Sequence, residues 1–512
     1  MVLVSALWSG CALFGGTDSA DPDTVQPLID LPEDWYQTDL SGEVFDEGWC
    51  ADFGEPPLMD LIDEVLISNL DIRIAQTRVD QARSLLVQAR AGRHAQVSLG
   101  GLAGATNSPG HFTGDFEISM PVSYEVDLWG RVASLVQAAE LDMEAIEADM
   151  AALKIALIAE TAELYFGLAR SRSELNVIDD QLQAAQTFLE LTEARRSQGM
   201  ASAIDVVQQE QRIEELREIR REAELEETLT LHAMAVLLGQ PPGTLEVPEA
   251  QILPDVPPPV ADYLPADLLE RRPDVRAARL RVIAADERID AALAERLPQL
   301  HLRPSLALEA ANPIHLFNFL FVSAVGTIEQ YIWDGGHRQA RIEEELSVQE
   351  RQLLEFSQIL LQAIREVEDA MARGQALDDI LEHQQAQLAA AQEALDLARV
   401  QYRAGMLDYL RVLTIMQSVQ DLKLAELDSQ RLILSQRIQL CRAAGGYWLD
   451  QISTEETDGE PIEDPKPERS PEPERSPEPK PERSPEPEPD TDNDEDEEND
   501  EDEVTDSTDE QE

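Results

Sequence analysis

The sequence predicts a mainly α-helical protein with a membrane β component, built as an internally duplicated helix–β-hairpin–long helix–helix unit. Three observations carry this. From Phe112 to Leu128 apolar and polar residues alternate: Phe116, Ile118, Met120, Val122, Tyr124 and Val126 fall on one face, Asp115, Glu117, Ser119, Ser123, Glu125 and Asp127 on the other. An ordinary strand holds such a period for only about five or six residues. Residues 131–197 and 337–404 contain no proline and little glycine, and at 1.5 Å per residue each would make a helix of about 100 Å. Finally, landmarks of the first half return in order in the second.

The alternating stretch suits a barrel wall with lipid outside and water inside; the other reading is an edge-to-core strand of a large soluble sheet. It ends at Trp129-Gly130-Arg131. The duplication bears on that choice. Asp71, Arg73, Ala75, Arg78, Val79 and Ala82 match Asp274, Arg276, Ala278, Arg281, Val282 and Ala285, a shift of 203. Trp129 matches Trp333 at a shift of 204, while Gly199-Met200 and Gly239 match Gly405-Met406 and Gly445 at 206. Each half carries two strand candidates. Four strands cannot close a barrel around water, because about eight are needed even for a filled one. Two copies would give a narrow, filled barrel, whereas a homotrimer gives a 12-stranded β-barrel within the range of outer-membrane proteins.

In chain order, residues 1–10 read as a signal remnant. Ser9-Gly10-Cys11 after an apolar run resembles a bacterial lipoprotein box, which makes Cys11 the lipid anchor of a segment 11–56 rich in proline (Pro22, Pro27, Pro32). Trp8 stands where leucine is usual and no basic n-region precedes it, which leaves open a start further upstream. A plain apolar N-terminus with a buried thiol is the alternative.

The first repeat covers 57–240. A helix is expected over 58–88 and a strand over 96–107, with Ser108-Pro109-Gly110 as a turn. The alternating strand follows, then the long helix, a break at Gly199, and a return helix over 203–238 ending in LLGQPPG. Residues 241–265 form a proline-rich connector. The second repeat, 266–448, offers a strand with Leu300, Leu302, Leu306 and Leu308. Phe317, Phe319 and Phe321 open the next strand, expected to run to Trp333. In the helix after Gly336, Leu353, Ser357, Leu360, Ile364, Val367 and Met371 step by four and three, a seam that fits a coiled coil or any helical bundle.

The formal net charge of −62 excludes nucleic acid as a partner. Residues 452–512 hold 28 acidic and 5 basic side chains, and ERSPEP recurs at 468–473, 474–479 and 482–487. Such a tail, 451–512, cannot bury apolar area and is expected to be disordered. Cys11, Cys50 and Cys441 lack metal or redox spacing. No apolar run reaches the roughly 18–20 residues of a transmembrane helix. No nucleophile, Walker or zinc motif occurs, so neither catalytic residues, nor a metal, nor a cofactor are expected.

With the duplication established, the chain resembles the outer-membrane factor family, the exit ducts of tripartite efflux pumps. The resemblance is carried by LLGQPPG at 237–243, LPADLLERRPDVRAAR at 264–279, YEVDLWGR at 124–131, IWDGG at 332–336 and RVQYRAGMLDYLRVL at 399–413. It implies a trimeric 12-stranded barrel in the outer membrane of a Gram-negative bacterium, over a periplasmic α-helical tunnel of about 100 Å. Trp129 and Trp333 would then mark the barrel–tunnel junction, and Asp115, Glu117, Glu125 and Asp127 would line the lumen. The turns at Gly199-Met200 and Gly405-Met406 would form the periplasmic tip. Leu410 matches a leucine that narrows the closed tip, and Ile204 is its repeat mate; plain helix packing is the competing role. At Thr414 family lipoproteins often carry an aspartate, and Asp205 and Asp408 lie elsewhere, so closure is expected to lean on Leu410. The family's oxidising compartment also implies a candidate Cys50–Cys441 disulfide.

The implied partners are a periplasmic adaptor, an inner-membrane efflux transporter and outer-membrane lipid. The implied function is passive export of small molecules. A duct for type I protein secretion and a non-conducting coiled-coil lipoprotein are the alternatives.

Overall fold

The structure, a computed structural model, describes residues 25–29, 32, 36, 56–109, 111–245, 253 and 271–445. Cys11, Cys50, most of the connector and the acidic tail lie outside them. The first unit runs α1 (Pro56–Ser68), α2 (Leu70–Ala91), β1 (Gln96–Val97), β2 (Gly100–Ser108), β3 (His111–Val126), α3 (Arg131–Ser197) and α4 (Ala203–Leu237). The second runs α5 (Pro273–Ala294), β4 (Gln299–Ala310), a 3-10 turn (Pro313–Asn318), β5 (Leu320–Glu329), α6 (His337–Arg403) and α7 (Tyr409–Ala443). The two long helices have 67 residues each and the two return helices 35 each.

Three elements differ from expectation. The helix over 58–88 is broken at Asn69, whose side chain accepts from the amides of Asp71 and Ile72 and donates to the carbonyl of Leu237. Asparagine there caps a new helix rather than filling a place in a continuous one. The first strand is split at Ser98-Leu99: the Ser98 amide donates to the carbonyl of Pro121, but a proline has no N–H to return the bond. The last strand begins at Leu320 and ends at Glu329, short of Trp333. Phe317 lies instead in the 3-10 turn, which starts on Pro313 and is capped by the Asn312 side chain.

The sheet runs β2–β3–β4–β5, all antiparallel. Its register places Ile118 against Leu308, Met120 against Leu306, Tyr124 against Leu302 and Val126 against Leu300. β4 continues this with Leu300 against Ile328, Leu306 against Val322 and Leu308 against Leu320. Directly opposed residues share a face, so one apolar face extends across both hairpins. Met120, Leu302, Leu306, Leu320, Val322 and Ile328 are exposed on it. The opposite face sets Glu117 against Glu309 and Glu125 against His301. Two facing carboxylates are tolerable where water solvates them, and costly elsewhere.

Beneath the strands the helices pack around several cores, of which two are the largest among the described residues. Ile158, Phe166 and Leu168 of α3 meet Leu58 and Val65 of α1, Met234 of α4 and Leu434 of α7. Phe356, Leu360, Val367 and Met371 of α6 meet Val275 and Val282 of α5 and Leu440 of α7. The expected seam is present, with Ser357, Leu360, Val367 and Met371 buried. Among the described residues no helix is long and apolar enough to cross a membrane.

Arg272, in the ERRPD segment, ties the start of α5 to its neighbours. Its guanidinium donates to both Asp274 oxygens (3.1 and 2.7 Å), to Glu366 at 2.9 Å and to the carbonyl of Ala443 at 3.1 Å. Burial alone would raise the Asp274 carboxyl, but the hydrogen bonds and charge of Arg272 outweigh it and hold the group below its ordinary 3.8. A depressed carboxylate stabilises the fold above its unfolded pKa, and that contribution is lost as pH falls through the folded value. Arg272→Met is therefore expected to cost about 2 kcal/mol at pH 7, reduced from the full buried-pair figure by the partial exposure of Asp274. Thermal unfolding followed against pH checks this: the gap between wild type and variant should persist down to about pH 4 and close below it.

Candidate functional site

The candidate site residues fall at two places, the strand-to-helix junction and the far end of the long helices. At the junction Gly130 and Gly336 adopt φ of 79° and 92°, a left-handed conformation that glycine takes without steric cost. Neither can cap its helix with a side chain. Asp127 does so instead, accepting from the Ala133 amide at 2.8 Å. Asp334 serves the second helix, accepting from the amides of Gly336 and Arg338. These backbone bonds, led by that from Arg338, hold the Asp334 carboxyl below its ordinary range. Glu125 takes a two-pronged bond from Arg131, at 2.9 and 2.6 Å.

Two of the four acidic residues expected to line the lumen, Glu125 and Asp127, thus have local partners at the helix start. Asp115 is exposed and Glu117 half-buried in mid-strand. Trp129 lies between β3 and α3, and its Nε1 donates to the carbonyl of Pro298 at 2.8 Å, which links the two units. Trp333 lies between β5 and α6 and is 87% exposed.

At the other end, α3 and α6 finish in the same way. Gly199 (φ 74°) and Gly405 (φ 75°) follow the last helical turn. The Met200 amide donates to the carbonyl of Arg195, and the Met406 amide to that of Gln401. Both are Schellman motifs, which require a left-handed residue at the glycine position. The return helices then start on side-chain caps: Ser202 and Asp205 form a capping box, and Asp408 accepts from the Arg411 amide at 2.8 Å. Asp205 and Asp408 are thus both engaged by backbone amides. Thr414 donates back to the carbonyl of Leu410. Leu410 and Ile204 are 62% and 66% exposed, and Met200 and Met406 are exposed beside them. Packing within one chain therefore does not account for Leu410.

Just behind the turns is a cluster that the sequence reading missed. Phe188 of α3 stacks on Tyr402 of α6 and Tyr409 of α7, with ring centroids 5.3 and 5.8 Å apart. Arg195 lies 4.2 Å over the Tyr402 ring and donates to that residue's carbonyl. The buried Tyr409 hydroxyl donates to Gln209 at 2.7 Å, and Gln209 donates to the carbonyl of Ala185 at 2.8 Å. Burial, helped by the Asp205 charge, pushes the Tyr409 phenol up to about 12, so it remains a donor. Arg212 reaches Gln420 at 2.5 Å. The cluster locks the α3–α4 hairpin to the α6–α7 hairpin while Leu410, adjacent to the anchored Tyr409, projects away. Its signal was two tyrosines seven residues apart astride Gly405; because the first repeat has Arg196 and Ala203 at those places, duplication did not flag it.

Strands with an uncovered apolar face, joined by glycine junctions to long helical hairpins, define a β-spanning membrane channel with a helical extension. The chain belongs to the outer membrane efflux protein family, whose model matches residues 61–240 and 264–446. It is 27% identical over 458 residues to the pyoverdine export outer membrane protein OpmQ of Pseudomonas aeruginosa, covering 86% of this chain and 96% of that protein. It is 26% identical over 460 residues to the cation efflux system protein CusC of Escherichia coli strain K12, covering 86% and 98%. Among solved structures, a CusC chain superposes with a TM-score of 0.78 at 26% identity, over 84% of this chain and 100% of that one. The outer-membrane channel OprN gives 0.77 at 25% identity, over 83% and 99%. The protein is an outer-membrane channel of tripartite efflux systems, and its family is one of conduits.

Proposed function

We propose that three copies assemble a 12-stranded barrel and a helical tunnel that passively carries small molecules delivered by an inner-membrane transporter through a periplasmic adaptor. The observation that carries this reading is the apolar face shared by β3, β4 and β5, exposed in the single chain and backed by a face with paired carboxylates. Lipid and water on opposite sides satisfy both faces at once, and closure demands further strands. Asp115 and Glu117 border the aqueous side. Cys11, outside the described residues, is the proposed lipid anchor. Leu410 and Ile204, with Met200 and Met406 around the Gly199 and Gly405 turns, form the apolar constriction at the tip. The adaptor docks on the outside of the same turns.

The cargo is set by the pump. Relatives named for pyoverdine export, cation efflux and toluene efflux are each 26–27% identical to this chain, which supports a duct that does not itself select. Single-channel recording in planar bilayers tests the reading. Wild type is expected to insert and conduct at low level, and Leu410→Ala to raise conductance several-fold. A protein that never conducts overturns the channel reading, and an unchanged conductance in Leu410→Ala overturns the constriction alone.

A further inference from the structure

The duplication reads out which faces of two copies meet, and at which residues. Within one chain the N-terminal part of α3 is flanked by α2 and α5. Arg83 and Arg90 of α2 pair with Glu147 and Glu140, while Arg281 and Arg288 of α5 pair with Asp149 and Asp142. Each pair of acids is seven residues apart, and the two sets are offset by two positions, about 200° around a helix of 3.6 residues per turn. α2 and α5 therefore sit on opposite flanks of α3. In the second unit, α6 has α5 on the flank that corresponds to α2 of the first. Its other flank corresponds to the one that α5 occupies on α3.

The helix displacements are uniform: α2 maps onto α5 at a shift of 203, and α3 onto α6 at 206. Applied to the contact between α3 and α5, they turn Arg281–Asp149 into Arg78–Glu355, and Arg288–Asp142 into Leu85–Val348. The first pair keeps its opposite charges. In the second both members change from charged to apolar together, whereas a change in either alone would leave a charge facing an apolar side chain. α2 of the same chain lies beyond α3 and α5 and cannot reach α6. Arg78 and Leu85 are exposed and line an open groove along α2 and α3 with Asp149. Among the described residues Arg78 forms no ion pair, while Glu355 pairs only with Arg351 of its own helix.

We propose that this face of α2 docks on α6 of a second copy of the chain, with Arg78 against Glu355 and Leu85 against Val348. The proposal rests on the trimeric reading and gives it a register. At this level each chain contributes Arg78, Asp149, Arg281 and Glu355 in order, and successive copies continue the alternation into a closed ring in which every charge has an opposite neighbour.

Crosslinking tests it. Arg78→Cys and Glu355→Cys are introduced together into the full chain, with Cys50 and Cys441 changed to serine. The detergent-purified protein is treated with a bis-maleimide spanning about 8–10 Å, the spacing of packed helix axes. Two- and three-chain species are expected on a denaturing gel, and equally for Leu85→Cys with Val348→Cys. They should be absent from each single variant and from Arg78→Cys with Glu343→Cys, about 18 Å further along α6. Links within one chain, or equal linking at position 343, overturn the register. An untreated protein that is trimeric by light scattering yet gives no crosslinked species overturns the register and leaves the trimer standing. An untreated protein that is monomeric overturns both.

Discussion

Phe356→Ala is expected to destabilise the protein by about 3–5 kcal/mol, the range for removing a fully buried aromatic side chain from a core. Phe356 is 0% exposed and faces α5 and α7 at once, in contact with the cluster of Val275, Ala278, Val282, Leu440 and Ala443. Three helices must shift together to fill its volume, and all three are held by the Arg272 bonds to Asp274, Glu366 and the Ala443 carbonyl. Relaxation into the cavity is therefore limited, which places the cost toward the upper part of the range. Because membrane assemblies of this size commonly unfold irreversibly, the half-life at a fixed elevated temperature is the sound measure. It should fall steeply for Phe356→Ala and little for Phe356→Leu, which keeps most of the volume. Equal half-lives for wild type and the alanine variant would remove Phe356 from the core argument.

Arg170→Met follows, with an expected cost of about 2–3 kcal/mol at pH 7. Arg170 stands among Glu174 of its own helix at 2.7 Å, Glu226 of α4 at 3.1 Å and Asp428 of α7 at 2.8 Å. The loss stays below the full figure for a buried pair because Glu226 and Asp428 are half exposed and solvent screens them. Burial raises the Glu174 carboxyl, the charges of Glu226 and Asp428 push the same way, and Arg170 opposes them. Without the arginine that pKa climbs further. A carboxyl raised in the folded state destabilises the fold at high pH, and the penalty is relieved as pH falls through the folded value. The Arg170→Met defect should thus shrink on acidification from pH 7 toward the carboxylate range, beginning at a higher pH than that at which the Arg272→Met gap closes. Arg170→Met with Glu174→Gln should recover most of the loss at pH 7, read as a coupling in a double-mutant cycle. A defect that is flat with pH would show that packing, and not charge, sets the cost.

The sequence reading succeeded where a local rule repeats. Glycine at 130, 199, 336 and 405 marks backbone that side-chain-bearing residues resist, so the junctions and turns were legible. The absence of proline bounded α3 and α6 to within a residue. The misreadings were of competition. Asn69 fell inside the helix expected over 58–88, but a cap that also reaches the Leu237 carbonyl outweighed helix continuity. Phe317 fell in step with a strand, but Pro313 and the Asn312 cap turned the chain first. The seam in α6 was found through Leu360, Val367 and Met371, yet Phe356, one place off it, is the largest of its fully buried side chains. Periodicity identifies a face; depth depends on how many other helices converge on it.

Alternation, duplication and glycine placement belong to the sequence by itself, because each follows from backbone geometry within a few residues or from identity at a constant shift. They sufficed for the fold class, the order of elements and the two ends that carry the candidate site residues. Tertiary structure alone decided which charges remain available there. Glu125, Asp127, Asp205 and Asp408 look alike in a sequence, but each is held by an arginine or a backbone amide. Tyr409 joins Gln209, about 200 residues away in the chain. A side chain's partner depends on which helices lie beside it, and contacts so distant in sequence are fixed only when the hairpins pack.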